Sequence, residues 1–168
     1  MLVSGLQLPP MKYASTTEVS SEKSQAELRT ILNRYGATKF GYLEEESRCA
    51  IMFEAQGRRV RFILPLPSRT AREVTHTKDR GLLRSVNAQH EAYEQAIRQR
   101  WRALCLAVKA KLEAVESGIA TFEEEFMAYV LLPDGRTVGE WMQPQLEETY
   151  QSGRMPPLML TSGSEPIN

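Results

Sequence analysis

One stretch constrains this chain more than any other. From Tyr93 to Val115 the apolar residues Tyr93, Ile97, Trp101, Leu104, Val108, Leu112 and Val115 recur at steps of 4, 4, 3, 4, 4 and 3. That period holds one stripe on one face of an α-helix. Ser85 is a natural N-cap and Gly118 a natural stop, so the spacing predicts a single long helix between them. Glu91 and Glu94 lie early in it and Lys109 and Lys111 late, which suits its macrodipole. Arg98, Arg102 and Lys109 fall on another face, with Cys105 between them. The helix thus offers an apolar seam to a core and a basic strip to something else.

Three strands are expected before it: Thr38 to Leu43, Arg48 to Glu54 and Arg58 to Leu66. The polar run Glu44 to Ser47 joins the first pair, and Ala55-Gln56-Gly57 joins the second, with Gly57 able to take a positive φ. Alternation sends Phe40, Tyr42, Ile51, Phe53, Val60, Phe62 and Leu64 to one face and Lys39, Arg48, Ala50, Met52, Arg59 and Arg61 to the other. On that second face Glu54 is placed to pair across the hairpin with Arg59. Pro65 and Pro67 end the sheet. Residues 68–85 follow as a long polar connection without apolar period, of the kind that tends to be functional or mobile.

Helices flank this core. Leu28, Ile31, Leu32 and Tyr35 make an apolar face ending at Gly36, and Ser24-x-x-Glu27 fits a capping box, with Ser20 or Ser21 as earlier starts. Thr121-x-x-Glu124 and Thr137-x-x-Glu140 open two further short helices. Phe122, Phe126 and Val130 face inward on the first, which runs to about Leu131, and Pro144 should kink or restart the second. The fold class is α+β: an N-terminal helix, a three-stranded antiparallel sheet, a long helix packed on it, and short C-terminal helices. At 168 residues this is one domain, 20–157, with a flexible arm at 1–19 and a flexible tail at 158–168.

A formal net charge of zero hides an asymmetry. Residues 58–111 carry 13 Lys and Arg against 4 Asp and Glu, whereas residues 112–150 carry 1 against 9. A basic middle beside an acidic end suits a polyanion ligand, internal neutralisation, or head-to-tail pairing with a second copy. No apolar run approaches the roughly 20 residues of a membrane span. The first ten residues lack the charged and apolar regions of a signal peptide. Two lone cysteines, Cys49 and Cys105, fit a reducing cytoplasm.

Catalytic chemistry finds little footing. His76 and His90 are the only histidines and share no ligand spacing with Cys or Glu, so neither a metal nor another cofactor is expected. Phosphate-binding glycine loops and nucleophile elbows are absent from the sequence. Glu54-x-Gln56 is a shadow of a nuclease pattern, and the runs Glu44-Glu45-Glu46 and Glu123-Glu124-Glu125 suit a solvated turn and a helix start. The arginines carry more signal, because a planar guanidinium binds phosphate bidentately. Arg59 and Arg61 on the third strand, Arg69, Arg72, Lys78 and Arg80 on the connection, and Arg98 and Arg102 on the long helix are the residues expected to meet it.

Several segments are also familiar in kind. Ser21-Glu22-Lys23-Ser24, Arg34-Tyr35-Gly36-Ala37, Arg61-Phe62-x-Leu64-Pro65-Leu66-Pro67 and Thr75-His76-Thr77 resemble a family of short bacteriophage and prophage proteins. So do the Arg98 to Gly118 helix and Leu132-Pro133-Asp134-Gly135-x-Thr137-Val138-Gly139-Glu140-Trp141-Met142-x-Pro144-Gln145, the match covering residues 19–157. The resemblance implies a phage origin and the cytoplasm of a bacterial host, and transfers no catalytic residue. Three antiparallel strands followed by a long helix is similar to the core order of phage single-strand annealing proteins, which hold one DNA strand in a basic groove and oligomerise side by side.

The expected function is therefore non-enzymatic binding of nucleic acid, single-stranded DNA above all, in phage replication or recombination. Alternatives are an interaction protein that inhibits a host defence factor or sequesters a phosphorylated ligand, and an oligomeric structural subunit.

Overall fold

The computed structural model describes residues 17–154. Helix α1 (Ser21–Arg34) begins where Ser20 Oγ accepts the Lys23 N–H, so Ser20 is the cap and Ser24 is a buried helix residue instead. Gly36, at φ +79°, closes it as expected. Three antiparallel strands follow in the order β1 (Thr38–Glu44), β2 (Arg48–Ala55) and β3 (Arg58–Pro65). Gln56 and Gly57, both at positive φ, make the two-residue turn between β2 and β3. The register Ile51↔Phe62, Phe53↔Val60 and Cys49↔Leu64 puts all six side chains on the inner face.

The long helix is present as α3 (Val86–Glu116), capped by Ser85. Trp101, Leu104, Val108 and Leu112 are buried against the inner face of the sheet. Cys105 is buried with them, not displayed on the basic strip, because α1 packs along that side of α3. Full burial of such a side chain stabilises by about 1.5–3 kcal/mol, so this seam outweighs any single ion pair on the surface. Tyr93 lies outside the core cluster, whereas Ile97 and Val115 are packed against it. Phe53, Phe62, Phe122, Phe126 and Tyr129 complete the core as a run of stacked and edge-on rings.

The connection 68–85 differs from expectation: it is organised. It contains a short helix α2 (Arg72–Thr75) and a bridge between His76 and Leu83. Val74, its one β-branched apolar residue, is buried where α2 packs on α3. After α3 come α4 (Phe122–Phe126) and a 3-10 turn (Met127–Tyr129). Val130 and Leu131 then run along the free edge of β3, with Leu131 N donating to the Arg59 carbonyl.

The Pro133-Asp134-Gly135 turn leads to α5 (Val138–Ser152). Of the three predicted capping boxes, the two at Thr121/Glu124 and Thr137/Glu140 are formed. α5 runs through Pro144 as one helix rather than restarting. The hydrogen bond the proline removes would have used the carbonyl of Glu140, an exposed residue. Most of the expected arm (1–19) and all of the tail (158–168) lie outside the described residues. Residues 17–19 meet the body of the fold, since Gln95 Nε2 on α3 donates to the Thr17 carbonyl at 3.0 Å. Among the described residues, no helix is long and apolar enough to cross a membrane.

Candidate polyanion-binding face

The eight cationic residues expected to bind phosphate fall into three places. Arg102 and Arg98 lie along α3. Arg102 Nη1 donates to Glu27 Oε2 of α1, and both Arg98 Nε and Nη2 bond Gln95 Oε1, at 3.0 and 2.6 Å. The centre of the basic strip read from the sequence is thus a helix–helix seam, where Glu27 answers Arg102, while Lys109 is exposed.

Arg59 and Arg61 lie on the outer face of the sheet, turned away from α3. Arg61 is half-buried. Its Nη2 reaches Glu140 Oε2 at 2.7 Å, and its Nη1 donates to the Gly135 carbonyl at 3.0 Å. Arg59 is exposed and sits opposite Glu54 in the register. Glu54 nevertheless bonds Lys39 Nζ at 2.7 Å. A bulge between Thr38 and Gly41, with Lys39 at φ +53°, accompanies that pairing.

Arg69, Arg72, Lys78 and Arg80 remain together on the organised connection and are all exposed. None of the four forms an ion pair with a described residue. Two acids lie within this group: Asp79 is exposed between Lys78 and Arg80, and Glu73 is engaged by Arg100, whose other nitrogen bonds the Pro65 carbonyl at 2.7 Å. The Arg69 guanidinium lies 4.1 Å from the centre of the Tyr93 ring, an attraction that holds it against α3. Beside Arg69 opens a cavity of about 310 Å³, lined by Arg69, Val74, Val86, Gln89, His90 and Tyr93.

Sequence reasoning missed this cavity, although a signal existed. Val86, Gln89, His90 and Tyr93 stand at i, i+3, i+4 and i+7, one face of the first turns of α3. Val74 is the clue to what covers that face. Polar fastenings fix the connection as well: Arg84 Nε donates to the His76 carbonyl, and Gln89 Nε2 to the Arg84 carbonyl. The four cations are therefore displayed on one ordered connection, and Arg69 stands at a partly apolar opening.

The rest of the molecule offers little competing chemistry. Both thiols are buried, and burial pushes Cys49 up to about 11 and raises Cys105 as well. Among the described residues, no three His, Cys, Asp or Glu side chains converge to hold a metal ion. The charge asymmetry neutralises itself in part, through Arg61–Glu140 and Lys111–Glu125. Compared with family models, with curated proteins and with solved structures, the chain matches none of the three.

Proposed function

We propose that this protein binds single-stranded nucleic acid without catalysis, through the face built by residues 68–85 and the start of α3. The observation that carries the reading is that Arg69, Arg72, Lys78 and Arg80 share one connection, exposed and without an ion pair among the described residues, with Arg69 lining an opening that includes the Tyr93 ring. Cations follow the phosphates, and a ring beside them receives a base that a duplex would keep stacked. This narrows the set of binding residues read from the sequence. Arg61 and Arg102 have structural partners, and Arg59 stands on a different face. Replication or recombination of a phage in a bacterial cytoplasm is the setting that the sequence resemblance adds.

The test is fluorescence anisotropy of labelled single- and double-stranded oligonucleotides across a salt series. Neutralising one side chain that meets a phosphate lowers the steepness of the log–log salt dependence by about 0.7 on single strands. Arg69→Gln with Arg72→Gln should lower it by about 1.4, whereas Arg102→Gln should leave it unchanged. Absence of binding at low salt would sink the proposal.

A phosphorylated small ligand is the second reading, favoured by the size of the cavity. Mononucleotides that compete as strongly as an oligonucleotide of the same base would select it.

A further inference from the structure

The outer face of the sheet has the wrong composition for a face left in water. Antiparallel sheets with one solvated side are ordinarily polar there. Here Leu43, Ala50 and Ile63 form one cross-strand row, and Met52 sits in the next between Gly41 and Arg61. Leu43 is 58% exposed, and Met52 and Ile63 are each 40% exposed. Gly41 contributes no side chain to its row, and a Cβ there would meet nothing within 4 Å. The patch is therefore apolar at its centre and open above Gly41. Arginines stand around it: Arg48 bound to Glu45, Arg61 bound to Glu140, and Arg59 with no ion pair among the described residues.

The same chain carries a second exposed surface, of opposite character. No residue of α5 is fully buried, and it packs on the Met127–Tyr129 turn. Gly139 makes that packing close, since a Cβ there would come within 2.8 Å of the Ala128 carbonyl. Farther along, Leu146 is 49% exposed and Tyr150 is 88% exposed. They stand one turn apart, with Glu147 three residues before Tyr150. From Val138 to Ser152 the helix has Glu140, Glu147 and Glu148 and no Lys or Arg.

We infer that α5 of one copy docks on the outer sheet face of a second copy. Leu146 and Tyr150 cover the Leu43, Met52 and Ile63 patch, and Glu147 supplies the carboxylate that Arg59 lacks among the described residues. Dimensions agree: a 15-residue helix is about 22 Å long, and strands of 7 and 8 residues span about 23–27 Å. The pairing is charge-complementary, and its two halves are different patches of one chain. A single such contact leaves one α5 and one sheet face open, and the inference is that these recruit further copies head to tail into a ring or filament rather than closing on each other as a two-fold dimer. The nucleic-acid face on residues 68–85 is not used by it.

Light scattering on the full chain over a concentration series tests this. Wild type should grow in mass with concentration beyond a dimer. Leu146→Asp with Tyr150→Ser removes the docking helix, and Met52→Asp with Ile63→Asp removes the receiving face. Each double variant alone should be monomeric, with its far-UV circular dichroism unchanged. An equimolar mixture should give a one-to-one dimer, because one variant keeps the sheet and the other keeps α5. If the sheet variant unfolds, Leu43→Ser replaces it, at the edge and most exposed of the three. A monomeric wild type at about 0.1 mM would overturn the inference. So would a dimer that mixing fails to restore, which marks a self-complementary two-fold interface. A wild type that is monomeric until residues 155–168 are deleted would show the chain covering its own sheet, and would overturn it equally.

Discussion

Arg61 of β3 and Glu140 of α5 meet at 2.7 Å, and the carboxylate oxygen that receives the guanidinium also accepts the Thr137 backbone N–H at 2.7 Å. One glutamate thus caps α5 and fastens that helix to the sheet. The Thr137 N–H is the main reason its carboxyl is held below the usual glutamate range, and Arg61 adds to it. A depressed carboxyl contributes stability above its ordinary pKa and loses that contribution as the pH falls through the lowered value. Glu140→Gln keeps a cap-competent side chain but removes the ion pair. Because the carboxylate is about half exposed, the expected loss is small, about 0.5–1 kcal/mol at neutral pH. The variant should also approach wild type near pH 3. Thermal melts of the two proteins at pH 7 and pH 3 check this, and an equal difference at both would contradict it.

At the other end of the body, Tyr35 Oη donates to Glu116 Oε2 at 2.6 Å, tying the end of α1 to the end of α3. That bond is the chief reason the phenol is pushed up to about 12, with Glu113 adding repulsion of the phenolate. A raised phenol holds its proton in the folded state after the unfolded chain has lost it. The stability it contributes is complete below pH 10 and disappears as pH climbs toward 12. Tyr35→Phe should melt lower than wild type at pH 8, and the gap should close by pH 12. A gap that widened across that range would show the sign to be wrong.

Arg102 illustrates how far the site was readable from the sequence. The period of α3, its Ser85 cap, the three strands and two capping boxes were legible, because each depends on residues near in sequence. Which side of α3 meets water was not legible. Glu27 stands 75 positions from Arg102, and only the packing of α1 reveals that the basic strip is a seam. The ordering of residues 68–85 was hidden for a related reason: one buried residue, Val74, anchors an otherwise polar run. Pro144 stands inside α5 without a restart, so of the two outcomes expected there the restart is the one the structure excludes.

Replacing Arg102 by Met should therefore destabilise the fold rather than weaken ligand binding. Glu27 would be left half-desolvated without its cation, a loss of about 1–2 kcal/mol. Glu27→Gln with Arg102→Met should recover part of it. Chemical denaturation of the two single variants and the double variant gives the coupling energy directly. Additive losses would mean that the pair contributes nothing.

Val74→Ala probes the platform. Deleting two buried methyl groups costs about 1–2 kcal/mol by transfer alone, before any cavity is counted. Val74 packs on α3 from the connection rather than from the main core. The loss should therefore fall on local opening of residues 68–85, leaving global unfolding nearly unchanged. The expected outcome is rapid tryptic cleavage at Arg69, Arg72, Lys78 or Arg80, all exposed, with a melting temperature close to wild type. Oligonucleotide binding should weaken in parallel, because the connection that carries the four cations would no longer be held against α3. Unchanged cleavage would mean that the polar fastenings at His76, Arg84 and Gln89 suffice. Faster cleavage with unchanged binding would mean that their charge, rather than their arrangement, is what the nucleic acid meets.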